Sequence, residues 1–81
     1  MTITVRVSTA RIQSKAILDV TARAWQQCGQ LTHWEQGFLD SMTDRVLESD
    51  AVVFTIKQLD LLEEVASKAG FRFDWKEHVC R

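Results

Sequence analysis

Cys28, His33, His78 and Cys80 are the residues of this 81-residue chain whose types suit metal binding. Two thiolates and two imidazoles make a full tetrahedral zinc set. Their spacing argues against that use. Four residues separate Cys28 from His33, one separates His78 from Cys80, and neither a C-x2-C nor an H-x3-H pair occurs. No metal and no cofactor is expected. Cys28 reads as a small buried hydrophobe and Cys80 as a frayed terminal residue. Nucleophilic catalysis would need Cys28 as nucleophile, His33 as base and an acid to orient it. No Gly-rich phosphate loop and no nucleophile elbow accompanies them. The carboxylates of Glu63 and Glu64 are adjacent, so on a helix they diverge into a solvated face. An enzyme is not expected.

The charged residues offer two binding chemistries instead. Residues 1–30 hold Arg6, Arg11, Lys15 and Arg23 against Asp19, a net of +3, while residues 31–70 hold three bases against eight acids, a net of −5. The whole chain stands at −1. An acidic surface of Glu35, Asp40, Asp44, Glu48 and Asp50 would attract an Arg/Lys-rich groove on a partner. Alternatively, Arg11, Lys15 and Arg23 form a basic row along a first helix, and Arg72 and Lys76 interleave with Phe71, Phe73 and Trp75 as in single-strand binders. Each has a plainer counterpart. A basic first helix can simply pack beside an acidic second one, and the aromatic run can be a strand facing the core. The slightly acidic total gives nucleic acid no strong electrostatic footprint.

These residues are positioned by elements that the sequence marks well. Thr32-His33-Trp34-Glu35 and Thr55-Ile56-Lys57-Gln58 each read as a capping box, in which Thr accepts from the N3 amide and the N3 side chain reaches back to the cap. Phe54 and Leu59 add a hydrophobic staple to the second. Residues 2–7 alternate apolar and polar as a half-buried strand does. Ser8 or Thr9 then offers a cap for a first helix over Thr9–Cys28, with Ile12, Ala16, Ile17, Val20, Ala24 and Cys28 as its stripe and Gly29 as its C′ stop. The second helix starts at Thr32, packs Trp34, Phe38, Leu39, Met42 and Val46, with Leu47 a candidate addition to that stripe, and ends at Ser49-Asp50. Gly37 inside it costs roughly 1 kcal/mol against Ala, which marks either a close backbone neighbour or a tolerated glycine. Residues 51–54 are an apolar connector that can be extended. The third helix runs from the Thr55 cap to Ala69, with Gly70 as C′. Residues 71–76 alternate again as a second strand or an extended tail.

The segment Leu31-Thr32-x-Trp34-Glu35-x-x-Phe38-Leu39-x-Ser41-Met42, followed by Thr55-x-Lys57-Gln58-x-x-x-Leu62, resembles a helical pair found in small phage and prophage proteins. The likeness covers residues 31–69. It implies a phage or mobile-element setting and brings no catalytic residues across.

The expected fold is a single small domain of mainly helical α+β class, a three-helix core flanked by short N- and C-terminal strands (β-α-α-α-β). The alternative is an all-α three-helix bundle with both ends draped on it. No run reaches the roughly 18 apolar residues of a membrane span, and MTITVRVSTARIQ lacks the apolar region of a secretory signal. A cytoplasmic protein without disulfides is therefore expected. The expected function is a non-enzymatic inhibitor that binds a host defence or transcription complex through its acidic surface. The alternative is a replication or recombination accessory that binds nucleic acid through the basic first helix. A small core also makes a homodimer a reasonable partner state.

Overall fold

The computed structural model describes residues 8–80. Two strands that each run straight into a helix organise it. β1 (Thr9–Gln13) leads into α1 (Ser14–Trp25), and β2 (Ala51–Thr55) leads into α3 (Ile56–Lys68). Between them lies α2 (His33–Val46). The class is mainly helical α+β, with the order β-α-α-β-α. The strand expected at residues 2–7 lies outside the described residues.

The strands pair antiparallel, with Ala10 opposite Phe54 and Ile12 opposite Val52. These four turn towards the helices; Ile12 and Phe54 are almost wholly buried. Arg11, Gln13 and Val53 occupy the opposite, exposed face. The ladder continues into both helix starts. The Ser14 N–H donates to Asp50 O at 2.8 Å and the Ile56 N–H to Ser8 O at 3.0 Å. Each is the first amide of its helix, a donor without an intrahelical partner. Backbone carbonyls next to the paired strands thus accept an orphan donor at each helix start.

This pairing corrects the first helix. Its expected first turn, from Thr9, is strand β1, and α1 begins at Ser14 with Gln13 in the cap position and no side-chain cap bond. Ile12 fits two periods at once, two residues from Ala10 and four from Ala16. Pairing with β2 decides between them. The helix also stops earlier than expected, at Trp25, and a 3-10 turn follows over Cys28–Gln30. Gly29 is therefore no C′ residue, and Cys28 is exposed rather than buried.

Both capping boxes form. Thr32 Oγ1 accepts from the Glu35 N–H at 3.2 Å, and Glu35 Oε1 accepts from the Thr32 N–H at 2.9 Å. The Thr55–Gln58 pair repeats this at 3.2 and 3.0 Å. α3 ends in a Schellman motif: the Phe71 N–H donates to Ala66 O and the Gly70 N–H to Ser67 O. That motif needs a left-handed C′ residue, and Gly70 supplies it at φ 92°.

The core draws on every element. Ile17, Val20 and Ala24 of α1 meet Leu39, Met42 and Val46 of α2 and Leu59, Leu62 and Val65 of α3. Phe73 and Trp75 join them from the C-terminal segment. That segment is not the strand expected at 71–76. It runs without regular structure into a 3-10 turn at Trp75–His78. The aromatics still turn inward as their alternation implied, and the Trp75 indole N–H donates to Asp60 Oδ1 at 3.3 Å. Beyond the turn, Val79 makes a single bridge to Ile12, and the Cys80 N–H donates to Arg11 O at 2.8 Å. Cys80 is tied to β1 rather than frayed.

Candidate functional site

The outer side of α2 is where the exposed chemistry gathers. Its inner side is settled by Glu35, Leu39, Met42 and Val46, all buried. Side chains four residues apart share one side of a helix, so Asp40 and Asp44 lie in line. Glu48 continues that spacing just past the last turn. All three are exposed, as is Asp50 at the start of β2. Among the described residues the only ion pair is Lys68–Glu35. Asp40, Asp44, Glu48 and Asp50 therefore have no cation within salt-bridge distance there.

Glu35 belongs to a different arrangement. It is 8% exposed, caps α2, and its second oxygen accepts from Lys68 Nζ at 2.9 Å. Its pKa is held below the ordinary carboxylate value, first by the Thr32 backbone N–H and then by Lys68, with burial opposing. The expectation that Glu35 forms part of an exposed acidic surface is thus corrected. Its carboxylate ties α2 to the end of α3. The signal was present in the sequence, because a capping-box Glu is committed to its own helix.

Trp34 also departs from expectation. Its place in the apolar stripe of α2 predicts burial, yet it is 64% exposed. Glu35 takes the first buried position instead, so the inward stripe begins one residue later. Trp34 stacks on Phe38, rings 5.8 Å apart and within 5° of parallel. Beside the pair is a shallow depression of about 430 Å³ lined by Trp34, Gly37, Phe38 and Ser41. A Cβ placed on Gly37 would meet nothing within 4 Å, so no neighbouring backbone explains this glycine. Leu47, at the other end, is 65% exposed and borders a groove of about 830 Å³ with Leu18 and Val46 in its wall and Lys15, Glu48 and Asp50 around it.

The basic residues do not form the expected row. Arg11 is on the outer face of β1, not on a helix. Lys15 is in the first turn of α1, beside Glu48 and Asp50. Arg23, near the far end of α1, lies 4.4 Å over the Phe71 ring. Arg72 and Lys76 border an open groove of about 660 Å³ together with Glu63 and Asp74. Lys76 also sits 5.9 Å from the Trp75 ring. Phe73 and Trp75 are buried, so neither offers a free ring face for a base to stack on.

Arg45 has a structural role that the sequence did not reveal. Its Nη2 donates to Val53 O at 2.9 Å, and its guanidinium lies 4.7 Å over the Phe54 ring. It covers the outer edge of β2, where Ser49 Oγ also donates to Ala51 O at 3.0 Å. Side chains blunt an edge that would otherwise template strand pairing.

Among the described residues, no group of three or more His, Cys, Asp or Glu comes together as a metal ion would require. No helix there is long and apolar enough to cross a membrane. Compared with protein-family models, with curated proteins and with solved structures, the chain finds no match.

Proposed function

We propose that this chain is a small non-enzymatic binding protein that engages a basic surface on a host protein complex through the outer side of α2. In the phage setting that its helical pair suggests, it acts as an inhibitor of a defence or transcription complex. The observation that carries this reading is the line of Asp40, Asp44 and Glu48, exposed and in no salt bridge among the described residues. Charges left in this way raise the local potential and steer a partner of opposite sign. The scatter of Arg11, Lys15 and Arg23 over separate parts of the molecule speaks against a nucleic-acid surface.

The test compares the wild-type protein with a D40K/D44K/E48K variant. Both are immobilised and exposed to bacterial lysate at low and high salt. A specific complex retained at low salt, weakened by salt and lost on charge reversal is the expected result. Exposed charges are screened over about 10 Å at 0.1 M salt, so the salt sensitivity follows directly. In parallel, fluorescence polarisation with single- and double-stranded oligonucleotides measures the competing chemistry. Submicromolar binding that disappears in R11A/K15A would replace this reading with the nucleic-acid accessory.

A further inference from the structure

Of the aromatic pair on α2, Phe38 is half-buried against the core, while Trp34, stacked on it, is left in water. Three aromatic rings elsewhere among the described residues have cations beside them. Arg23 covers Phe71 at 4.4 Å, Arg45 covers Phe54 at 4.7 Å, and Lys76 lies 5.9 Å from Trp75. Trp34 is the most exposed of the three tryptophans and has no such partner among the described residues. Trp presents the best ring face for a cation of any side chain. Its stacking on Phe38 holds the ring in a fixed orientation, so little ordering is needed when something docks. Gly37 and Ser41 keep the space beside it open.

We propose that Trp34, Phe38, Gly37 and Ser41 form a seat for an arginine side chain of a basic partner segment, with Asp40, Asp44 and Glu48 pairing the cations that follow it. This rests on the acidic-surface reading above and names the partner chemistry: an arginine-rich protein segment. A guanidinium is flat and weakly hydrated, so it stacks on an aromatic face while its edge still donates hydrogen bonds. Successive turns of a helix are about 5.4 Å apart. Alternate side chains of an extended strand are about 6.6 Å apart. One partner cation per carboxylate is therefore geometrically matched along the line. The charge around the seat selects the occupant. A nucleic-acid base would bring phosphate against the same carboxylates, and a second copy of α2 would bring Asp40 and Asp44 against their own kind.

The experiment titrates the full chain with labelled oligoarginine, oligolysine and oligoglutamate peptides of equal length, read by fluorescence anisotropy. Oligoarginine is expected to bind most tightly and oligoglutamate not at all. Trp34→Ala should weaken oligoarginine about two- to fivefold, the range of an exposed cation–π contact, and oligolysine less. Gly37→Leu should do the same by filling the depression. It leaves every charge and ring in place and improves helix propensity, so loss of fold cannot explain it. D40K/D44K/E48K should abolish binding of both basic peptides. If charge reversal acts but neither Trp34→Ala nor Gly37→Leu distinguishes arginine from lysine, the seat is wrong while the acidic surface stands. Charge reversal without effect on either peptide, or no binding by either, would overturn both. A dimer in sedimentation that dissociates in Trp34→Ala would assign the seat to a second copy, and Trp34-dependent binding of single-stranded DNA would assign it to nucleobases. Either result overturns the arginine proposal.

Discussion

Thr55 sits where β2 becomes α3 without an intervening loop, and replacing it measures how much that junction depends on its cap. In Thr55→Ala the hydroxyl that accepts from the Gln58 N–H at 3.2 Å is lost. The reciprocal bond from the Thr55 N–H to Gln58 Oε1, at 3.0 Å, keeps both its atoms but loses the partner that frames it. Cap removal costs from 0.5 to 2 kcal/mol, typically about 1. The upper end is not expected here. The first amide of α3, that of Ile56, already donates to Ser8 O across the sheet. Only the third-position amide loses its acceptor, which places the cost near 1 kcal/mol. For a domain of this size that is a fall in Tm of about 4–8 °C. Urea unfolding followed by far-UV circular dichroism supplies the free energy. Thr55→Ser is the control, since it keeps the hydroxyl and should stay within about 0.5 kcal/mol of wild type. Pairing Thr55→Ala with Gln58→Ala tests reciprocity: the double variant should cost less than the sum, because the two bonds support each other. An unchanged midpoint in Thr55→Ala, or a Ser variant as weak as the Ala one, would show that the box does not hold the junction.

Glu35 gives a pH prediction. Its pKa is lowered by the Thr32 N–H and Lys68, so the stability it contributes is present above the ordinary carboxylate value and is lost as pH falls through the lower folded value. Glu35→Gln keeps an acceptor for the cap but no charge, so its urea midpoint should fall below wild type at neutral pH and converge with it in acid. Parallel curves would refute the linkage. Gly37→Ala should stabilise the protein by about 1 kcal/mol, because the added Cβ meets nothing within 4 Å and the helix interior gains propensity. A lower melting temperature would reveal a neighbour that the structure does not show.

What was legible in the sequence was local. Thr32, Glu35, Thr55 and Gln58 announce their helices because a capping box is completed within four residues, and Gly70 announces a helix end because a Schellman turn needs a left-handed residue. What was not legible depends on partners distant in sequence. Residues 9–13 have an acceptable helical period, and only β2, some forty residues on, makes them a strand. Residues 71–76 alternate as a strand would, yet what they share with one is only the burial of Phe73 and Trp75. The same holds for the site. Asp40, Asp44 and Glu48 were readable as an exposed line from their spacing alone. The commitment of Glu35 to its own helix was readable from its capping box, whereas its bond to Lys68 spans thirty-three residues and was not; with Glu35 turned inward, Trp34 beside it turns outward.

The two sides of α2 therefore answer to different demands. The side carrying Glu35, Leu39, Met42 and Val46 fixes the helix in place through core packing and the Lys68 ion pair. The side carrying Gly37, Asp40, Ser41 and Asp44 includes no buried residue. A helix interior glycine and a row of like charges both cost stability. An exposed tryptophan stacked on a second aromatic ring puts apolar surface in water on the same helix. These three departures fall on one helix and on the side away from the core. Folding does not require any of them, and a partner that is basic and offers an arginine accounts for two at once: the carboxylates and the ring. The glycine then has a role as well, since it leaves the ring's flank open.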